Sequence, residues 1–391
     1  MSLKFGTSGL RGLSADLFGP ASIAYPAAFG LYMIDCGKTR QGGTVLIGRD
    51  FRDSSDAIAK NVAIGLNAVG LVPVDCGALP TPALALYGMM HGAASIMITG
   101  SHIPADRNGL KFYRPDGEID KKDEAGISAA ATETLKRKWN APEIEVRDES
   151  DAAMALFLER NRKILGDGAL SGMRIGVYQH STVARDLLVE VLRHYGADVV
   201  ALGRSKTFIP VDTEAVSPET VTLTKGWTRE YGLDSIVSAD GDGDRPLVTD
   251  ETGTPVKGDV LGLVCARFLS AKAVVTPVTS NSGLESAGDF RVLRTRVGSP
   301  YVIKGMETIL AEGGKAVMGF EANGGTLTAS RFDVAGGALD ALPTRDSLLP
   351  VLALLASARQ ANQPVSRFCA GLALPVTDAD RLKDFPLEKS D

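Results

Sequence analysis

The residues with the clearest chemical potential form a short acidic run near the middle of the chain. Asp240, Asp242 and Asp244 alternate with glycine and are followed directly by Arg245. Carboxylates at alternate positions of a glycine-rich turn can direct several oxygens toward one hard cation. A Mg²⁺ ion accepts a few carboxylates and leaves coordination positions open for phosphate oxygens. The spacing therefore predicts a Mg²⁺ site with room for a phosphate group.

Two other interpretations of the acidic run are weaker. An EF-hand calcium loop starting at Asp240 would place Glu251 correctly at its last position, but Arg245 stands where the sharp turn needs glycine. The segment before the run also has the pattern of a strand, whereas an EF-hand loop follows a helix. The other alternative is a solvated acidic turn that binds no metal.

A second chemical segment covers residues 99–111, with the sequence TGSHIPADRNGLK. Ser101 would need activation to act as a nucleophile, and His102, Arg107 and Lys111 are nearby candidates. A Ser-His-Asp triad fits poorly, because adjacent serine and histidine side chains point in different directions. A serine that carries phosphate fits better, since its charge of about −1.5 to −2 would be neutralised by a divalent cation. This interpretation links Ser101 to the acidic run.

A glycine-rich segment, FGTSGLRG, lies at residues 5–12. Its backbone N–H groups, its hydroxyls at Thr7 and Ser8 and the guanidinium of Arg11 could form a cradle for phosphate. Glycine-rich turns are common, so the segment alone indicates little.

A third loop, GFEANGG at residues 319–325, supplies a carboxylate at Glu321 and an amide at Asn323. Such groups suit the hydroxyls of a sugar, where hydrogen-bond geometry discriminates neighbouring positions. The alternative is an ordinary surface turn. Sugar recognition is favoured only because the loop occurs together with the other chemical segments.

The elements that must position these loops follow an α/β pattern. Short apolar runs alternate with helical periodicity, as in βαβ units. Strands are predicted at 44–48, 71–76, 173–178, 198–202 and 273–278, and helices near 54–69, 183–195, 260–268, 300–310 and 348–358. Each chemical loop directly follows an apolar strand, at 94–99, 233–238 and 315–318. Because ligands of α/β sheets bind beyond the carboxyl ends of strands, three such ends would form one composite site.

Composition restricts the class of protein. The chain has 391 residues, and its 42 basic and 47 acidic side chains give a net charge of −5 without a basic block, which argues against nucleic acid as a partner. No apolar run approaches the ~20 residues that cross a bilayer, so we expect no membrane partner. The four cysteines are scattered, and free thiols in a cytoplasmic protein are the expectation.

In order along the chain, the FGTSGLRG, TGSHIPADRNGLK, DGDGDR and EANGG segments resemble the motifs of the α-D-phosphohexomutase family, most of all its bacterial phosphomannomutases and phosphoglucomutases. The resemblance implies an α/β fold of three similar mixed-sheet domains around a shared cleft. It also implies reversible movement of phosphate between the 1- and 6-positions of a hexose, with mannose favoured and glucose next. A phosphoserine, Mg²⁺ and a hexose 1,6-bisphosphate, as intermediate and activator, belong to that reaction.

The resemblance also implies a role for individual residues. Four are catalytic candidates: Ser101, Lys111, Arg11 and His102. Four would hold Mg²⁺, directly or through phosphate: Asp240, Asp242, Asp244 and Ser101. Six would contact the phosphosugar: Arg245, Lys304, Glu321, Asn323, Thr7 and Ser8. The general base is Lys111 or Arg11, since neighbouring cations lower a lysine pKa toward neutrality.

The predicted domains are a phosphoserine domain (1–145), a metal-binding domain (146–257) and a sugar-recognition domain (258–370). Residues 371–391 would be a remnant leading to the family's fourth domain, which grips the non-reacting phosphate with an Arg-Ser-Gly-Thr loop. We find no such loop, and expect that domain to be missing from the protein or from this sequence.

Three departures from the family pattern bear on function. Ile103 replaces a usual asparagine, which removes a hydrogen bond that would brace the serine loop, and Asn323 and Gly325 replace a serine and a histidine in the sugar loop. Two alternative functions stay open: an impaired sugar-phosphate-binding protein, which the missing phosphate-gripping loop motivates, and a Mg²⁺-dependent sugar phosphatase, which would use the same loops but admit water. The substrate partner is a small phosphosugar, and a homodimer is left open.

Overall fold

The computed structural model describes residues 3–6, 9–140, 142 and 144–377. Its first sheet holds eight strands: β1 (Lys4–Gly6), β2 (Gly9–Leu13), β3 (Thr44–Arg49), β4 (Val72–Ala78), β5 (Ala94–Ile98), β6 (Arg107–Arg114), β7 (Gly117–Glu118) and β8 (Arg147–Asp148). Six helices accompany them: α1 (Ser14–Leu17), α2 (Pro20–Asp35), α3 (Ser55–Ala68), α4 (Thr81–His91), α5 (Lys121–Thr134) and α6 (Ser150–Asn161). The strand order is β1-β2-β6-β5-β3-β4-β8, with β7 paired to β6.

The second sheet is smaller. It holds four strands: β9 (Arg174–Tyr178), β10 (Asp198–Leu202), β11 (Ser235–Ala239) and β12 (Pro246–Val248). Its helices are α7 (Arg185–His194) and α8 (Pro218–Tyr231). The strand order is β10-β9-β11-β12.

The third sheet holds five strands: β13 (Ala273–Pro277), β14 (Arg291–Thr295), β15 (Val317–Phe320), β16 (Thr326–Thr328) and β19 (Leu342–Asp346). A separate hairpin is formed by β17 (Phe332–Val334) and β18 (Gly337–Leu339). The helices are α9 (Gly258–Phe268), α10 (Ser299–Ala311), α11 (Leu348–Gln360) and α12 (Val365–Ala370), with a 3₁₀ turn at Leu284–Ser286.

All three sheets contain the same four-stranded unit. A first strand (β3, β9 or β13) lies between two parallel neighbours, and a fourth strand runs antiparallel beside the third. The loop between the third and fourth strands is residues 99–106, 240–245 and 321–325 in turn. These are the three chemical loops, so each domain presents its motif at the same point of its topology. The prediction of three similar mixed-sheet α/β domains is confirmed, while the predicted domain boundaries stay predictions.

The local patterns explain most elements. Helix α3 buries Ile58, Val62 and Leu66 on one face and stops before Gly70, which takes the left-handed conformation (φ +81°) that favours glycine. Serine is a common N-cap residue, but neither Ser54 nor Ser55 caps the helix with its side chain. Helix α11 accepts Pro350 because the first turn of a helix has no intrahelical partner for that N–H group.

The hydrophobic core passes through all three domains. One apolar cluster fills the space between α2, α3 and the first sheet, around Phe29, Ile58 and Phe112. A larger cluster joins Leu84 of the first domain to Phe157, Leu188, Phe320 and Leu352. The three sheets are therefore packed against common apolar side chains. Within the described part of the chain, no helix combines the length and apolarity needed to cross a membrane.

Candidate active site

The structure brings Ser101 to the acidic run. Its hydroxyl Oγ donates a hydrogen bond to Oδ2 of Asp240 at 2.6 Å, although 139 positions of sequence separate them. Both residues are fully buried. The contact forms where the loop after β5 of the first sheet meets the loop after β11 of the second. The expected link between the serine loop and the acidic run is therefore present as a direct hydrogen bond.

The backbone of Ser101 is strained. Its φ of +56° lies in the left-handed region, which costs a residue other than glycine roughly 1–2 kcal/mol. The backbone N–H of Ser101 donates to Oγ1 of Thr99 at 2.7 Å, and Thr99 Oγ1 donates to Oδ2 of the buried Asp50 at 2.7 Å. Such strain persists where surrounding contacts over-determine the conformation. Here it directs Oγ toward Asp240.

The three aspartates form a compact, buried group. One carboxylate oxygen from each of Asp240, Asp242 and Asp244 lies within 4.8 Å of the others. Asp242 Oδ2 accepts a hydrogen bond from Thr81 Oγ1 at 2.6 Å. In contrast, Oδ1 of Asp242 and Oδ1 of Asp244 are buried and accept none from the described residues. Buried acceptors without a donor are costly, and a hard divalent cation such as Mg²⁺ would satisfy both. The residues present therefore fit Mg²⁺.

Two cations balance the acidic group. Lys111 Nζ donates to Asp242 Oδ2 at 2.5 Å and to Asp244 Oδ2 at 2.7 Å, while Arg345 donates to Asp244 Oδ2 through Nε (3.0 Å) and Nη2 (2.8 Å). Burial alone would raise the pKa of Asp244, but the charges of Arg345 and Lys111 hold this pKa below its usual value. Burial raises the pKa of Asp240, and the charges of Asp242 and Asp244 raise it further.

Arg345 also connects the third loop to the acidic run. Its Nη1 donates to Glu321 Oε2 at 2.8 Å, so one guanidinium bridges the second and third domains. A Cβ atom at Gly325 would lie 2.8 Å from Arg345 Cδ, which explains why no side chain is accommodated there. The Asn323 carbonyl Oδ1 accepts the backbone N–H of Gly325 at 2.9 Å and shapes the loop.

Arg245, His102 and Arg11 surround the serine. Arg245 Nη1 lies 2.9 Å from His102 Nδ1, and a guanidinium can only donate, so this imidazole nitrogen is the acceptor. His102 Nδ1 is also 3.4 Å from Ser101 Oγ. Burial, together with the charges of Arg245 and Arg345, lowers the pKa of Arg11. His102 and Arg245 therefore lie beside the Ser101 hydroxyl, and Arg11 lies within the electrostatic influence of Arg245 and the acidic group.

One predicted substrate contact lies away from this site, and two others cannot be placed. Lys304 lies on the exposed side of α10, with 76% of its side chain accessible and Nζ 3.2 Å from Glu307 Oε2. Thr7 and Ser8 lie outside the described residues. The roles given to these residues, and to the rest of the predicted site, stay predictions.

Sequence reasoning missed several residues of the site. Arg345 is the last residue but one of β19, Thr81 is the first residue of α4, and Asp50 follows β3. The available signal for Arg345 was a charged Arg-Asp pair between an apolar strand and the apolar helix α11. For Asp50 it was the same position at the carboxyl end of a strand that identified the three loops. Neither signal identifies the residues that Arg345 and Asp50 contact.

The chain also matches three family models. They are described as phosphoglucomutase/phosphomannomutase alpha/beta/alpha domains I, II and III, and match residues 2–138, 158–253 and 257–374 respectively. Between them they cover all three chemical loops and every strand except β8.

Curated relatives agree with these matches. A phosphomannomutase of Sinorhizobium fredii is 53% identical, covering 100% of this chain and 83% of the relative. A phosphomannomutase of Salmonella muenchen is 40% identical, covering 99% of this chain and 79% of the relative. At 32% identity, a phosphoglucosamine mutase of Symbiobacterium thermophilum matches over 94% of this chain and 81% of its own length.

A solved structure has the same fold. A Thermus thermophilus protein assigned as a phosphomannomutase superposes with a TM-score of 0.77 at 25% identity, covering 95% of this chain and 83% of that one.

Proposed function

The chain belongs to the phosphoglucomutase/phosphomannomutase family, and we propose that it interconverts hexose 1-phosphates and hexose 6-phosphates. It is accordingly an enzyme of the intramolecular phosphotransferase class. Mannose phosphates are the favoured substrates and glucose phosphates come next. The names of the 53% and 40% identical relatives support the preference for mannose.

The observation that carries the proposal is the hydrogen bond between Ser101 Oγ and Asp240. A phosphate carried on this oxygen would adjoin the three aspartates and the cations Lys111 and Arg245. Phosphoryl transfer requires mainly positioning and neutralisation of charge, and this arrangement supplies both.

In the proposed reaction, phospho-Ser101 gives its phosphoryl group to the free hydroxyl of a hexose monophosphate. The P–O bond to Ser101 breaks, a P–O bond to the sugar oxygen forms, and the hydroxyl proton passes to a basic group. The resulting hexose 1,6-bisphosphate reorients in the cleft by exchanging the positions of its two phosphate groups. It then returns its other phosphoryl group to Ser101. Mg²⁺ held by Asp240, Asp242 and Asp244 would neutralise charge on the transferred group.

The chain's own residues orient the reactants and handle the proton. Arg11 and Lys111 are the two candidates for the basic group. The lowered pKa of Arg11 lies in the direction that a base requires. Lys111 Nζ donates to two carboxylates, so it must release a proton before it can accept one. Separate pH–rate profiles of Arg11→Lys and Lys111→Arg would distinguish the two.

Sugar recognition is proposed for the third loop. Glu321 and Asn323 are almost fully buried, and Glu321 is held by Arg345. A buried carboxylate oriented in this way can select one arrangement of sugar hydroxyls, because a mismatched sugar would leave it unpaired. Lys304, Thr7 and Ser8 are proposed contacts for the phosphate of the substrate.

The test is phosphorus NMR with mannose 1-phosphate, glucose 1-phosphate and glucosamine 1-phosphate in turn, each with Mg²⁺ and a trace of hexose 1,6-bisphosphate. We expect conversion to the 6-phosphate, fastest for mannose, and its loss in Ser101→Ala. Ser95→Ala is the matched control, since Ser95 is buried in the strand that precedes Ser101. Full activity of Ser101→Ala would refute the proposal. Stoichiometric release of inorganic phosphate would instead establish a phosphatase.

A further inference from the structure

Arg52 is a buried arginine that binds the serine loop through its backbone. A guanidinium has five N–H donors, and all five are used here. Nε donates to Asp50 Oδ2 at 3.1 Å. The other four meet carbonyl oxygens of the loop: Pro104 (2.6 Å), Arg107 (2.9 Å), Ser101 (3.0 Å) and Ile103 (2.7 Å). One side chain therefore determines the course of the whole loop.

This binding fixes the strained serine from both sides. The peptide group before Ser101 is held through Thr99 and Asp50, and the carbonyl after it is held by Arg52. A Cβ atom at Gly100 would lie 2.7 Å from Arg52 Cζ, so the loop packs flat against the guanidinium. Both peptide planes that set the direction of Ser101 Oγ are thus anchored to one Asp50–Arg52 pair.

Phe208 connects this arrangement to the acidic loop. The aromatic ring, from the second domain, lies 4.0 Å from Arg52 Cζ in a cation–π contact. The same ring lies against Gly241, where an added Cβ would be 2.8 Å from Phe208 Cζ and 2.8 Å from the carbonyl of Ser101. Arg52, Phe208 and the backbone of both reacting loops are therefore in continuous contact.

A reciprocal pair joins the same two domains. Phe51 of the first domain lies 4.1 Å from Arg185 Cζ of the second. Arg185 Nη1 in turn donates to the carbonyls of His180 (3.4 Å) and Ser205 (3.3 Å). Phe51 and Arg52 thus each form a cation–π contact with the second domain. Phe51 supplies the aromatic ring of its contact, whereas Arg52 supplies the cation.

We propose that Arg52 and Phe208 are positioning residues for phosphoryl transfer, which hold Ser101 and the acidic loop in register across the domain boundary. In this role they act through the two loops and need no contact with sugar or phosphate. The proposal deepens the function proposed above and rests on it for its kinetic consequence. A displacement of about 1 Å between reacting groups can cost about 100-fold in rate, so the register of two loops from different domains is worth a dedicated contact.

The first test is Arg52→Lys, which keeps the charge and removes the fork of donors. We expect kcat to fall by about 10- to 100-fold with KM for the hexose phosphate within about twofold. Amide hydrogen exchange at residues 100–107 should become at least about tenfold faster, since the loop carbonyls lose their donors. Arg137→Lys is the matched control, because Arg137 makes its cation–π contact with Trp139, beyond the end of α5. Neither quantity should change in that variant.

The second test is Phe208→Leu, which keeps an apolar side chain at a partly exposed position and therefore decides the question if Arg52→Lys does not fold. We expect a smaller fall in kcat, about tenfold, again with KM unchanged. Unchanged kcat and exchange in the folded variants would overturn the inference. Faster exchange with unchanged kcat would also overturn it, because Arg52 and Phe208 would then stabilise the loop without affecting phosphoryl transfer.

The two proposals fail in different ways. If the protein without substitutions converts no hexose phosphate, the proposed function is wrong. The exchange at residues 100–107 needs no substrate, and it would still show whether Arg52 and Phe208 hold the serine loop. Unchanged exchange would then reject the inference independently.

Discussion

Asp244 and Glu321 are both paired with Arg345. Both carboxylates meet the guanidinium of Arg345, and all three side chains are shielded from solvent. The pKa of Arg345 is raised well above its ordinary value, because the carboxylates of Asp244, Glu321 and Glu118 outweigh the effect of its burial. Removing one partner of a buried pair is costly mainly because it strands the other charge.

We therefore predict that Arg345→Met lowers the free energy of unfolding by about 3–5 kcal/mol, because the buried carboxylates of Glu321 and Asp244 both lose the charge of Arg345. Urea denaturation measures this change. Arg291→Met is the control, since Arg291 pairs with Glu312 at an exposed position and its loss should cost about 1 kcal/mol or less. Equal losses in the two variants would contradict the prediction.

His180 offers a pH test. It is buried, its Nε2 lies 2.9 Å from the carbonyl of Ala239, and burial lowers its pKa to about 4. In the unfolded chain an ordinary histidine has a pKa near about 6.5, so the unfolded state binds the proton first as pH falls. The stability due to neutral His180 is thus complete above about pH 6.5 and is lost toward pH 4.

Between those values the unfolding free energy should fall by up to about 1.4 kcal/mol per pH unit because of this residue alone. Urea denaturation of the unvaried chain and of His180→Asn at several pH values isolates the contribution. The two stability curves should converge as pH falls, and parallel curves would count against a buried neutral imidazole.

At the same scale, the limits of sequence reasoning are physical. Ser101 and the aspartates could be predicted because each lies in a compact local motif whose chemistry can be recognised from the spacing of its residues. Arg345 could not, since its contact with Asp244 spans 101 positions and exists only when two domains are docked. Arg52 is similar, because its partners are backbone carbonyls, which carry no signature in the sequence.

At the scale of elements, α2 and α3 cross very closely at Gly65. A Cβ atom at this position would lie 2.2 Å from the carbonyl oxygen of Ile23. Alanine is the better helix former by about 1 kcal/mol, but overpacking a tight contact against the backbone costs about 1–3 kcal/mol. We predict that the steric effect wins and that Gly65→Ala is destabilising.

The control is the same substitution at Gly226 in α8, where nothing lies within 4 Å of the added methyl group. Gly226→Ala should stabilise the protein by about 0.4–1 kcal/mol. Thermal and urea denaturation of both variants measure whether each substitution lowers or raises the free energy of unfolding. A stabilising Gly65→Ala would show that α2 and α3 can separate at no cost.

Elements were the most predictable level of this structure. The strand at 198–202 and the stop of α3 before Gly70 follow from apolar periodicity and from glycine at a helix end. The cap of α3 was not predictable, because both serines have tertiary partners that compete with the helix terminus. Asn108 donates to the hydroxyls of Ser54 and Ser55, and Ser55 donates to Asp50.

At the scale of the whole molecule, the continuous apolar cluster joins the three domains into one cooperative unit. Polar contacts reinforce it: Glu118 of the first domain accepts hydrogen bonds from Ser299 (2.7 Å) and Thr344 (2.9 Å) of the third. Since no domain can unfold without exposing the core of its neighbours, we predict a single calorimetric transition. Resolved transitions for separate domains would contradict it.

Mg²⁺ should raise the temperature of that one transition. A ligand that binds only the folded state stabilises it by about 2.7 kcal/mol when its concentration is 100-fold above its dissociation constant. The acidic group is enclosed by residues of all three domains, so the gain should extend to the entire transition. Asp242→Asn should abolish the shift, whereas Asp234→Asn, at an exposed position in the same domain, should not.

The burial of Ser101 has a consequence for the lifetime of any ester formed there. With no accessible surface on that residue, bulk water cannot reach the oxygen that would carry the phosphoryl group. A phosphoryl group carried on this oxygen, as proposed above, would be shielded from hydrolysis until a sugar displaces the covering groups. The same burial predicts that the covering loops must open before a hexose phosphate can reach Ser101.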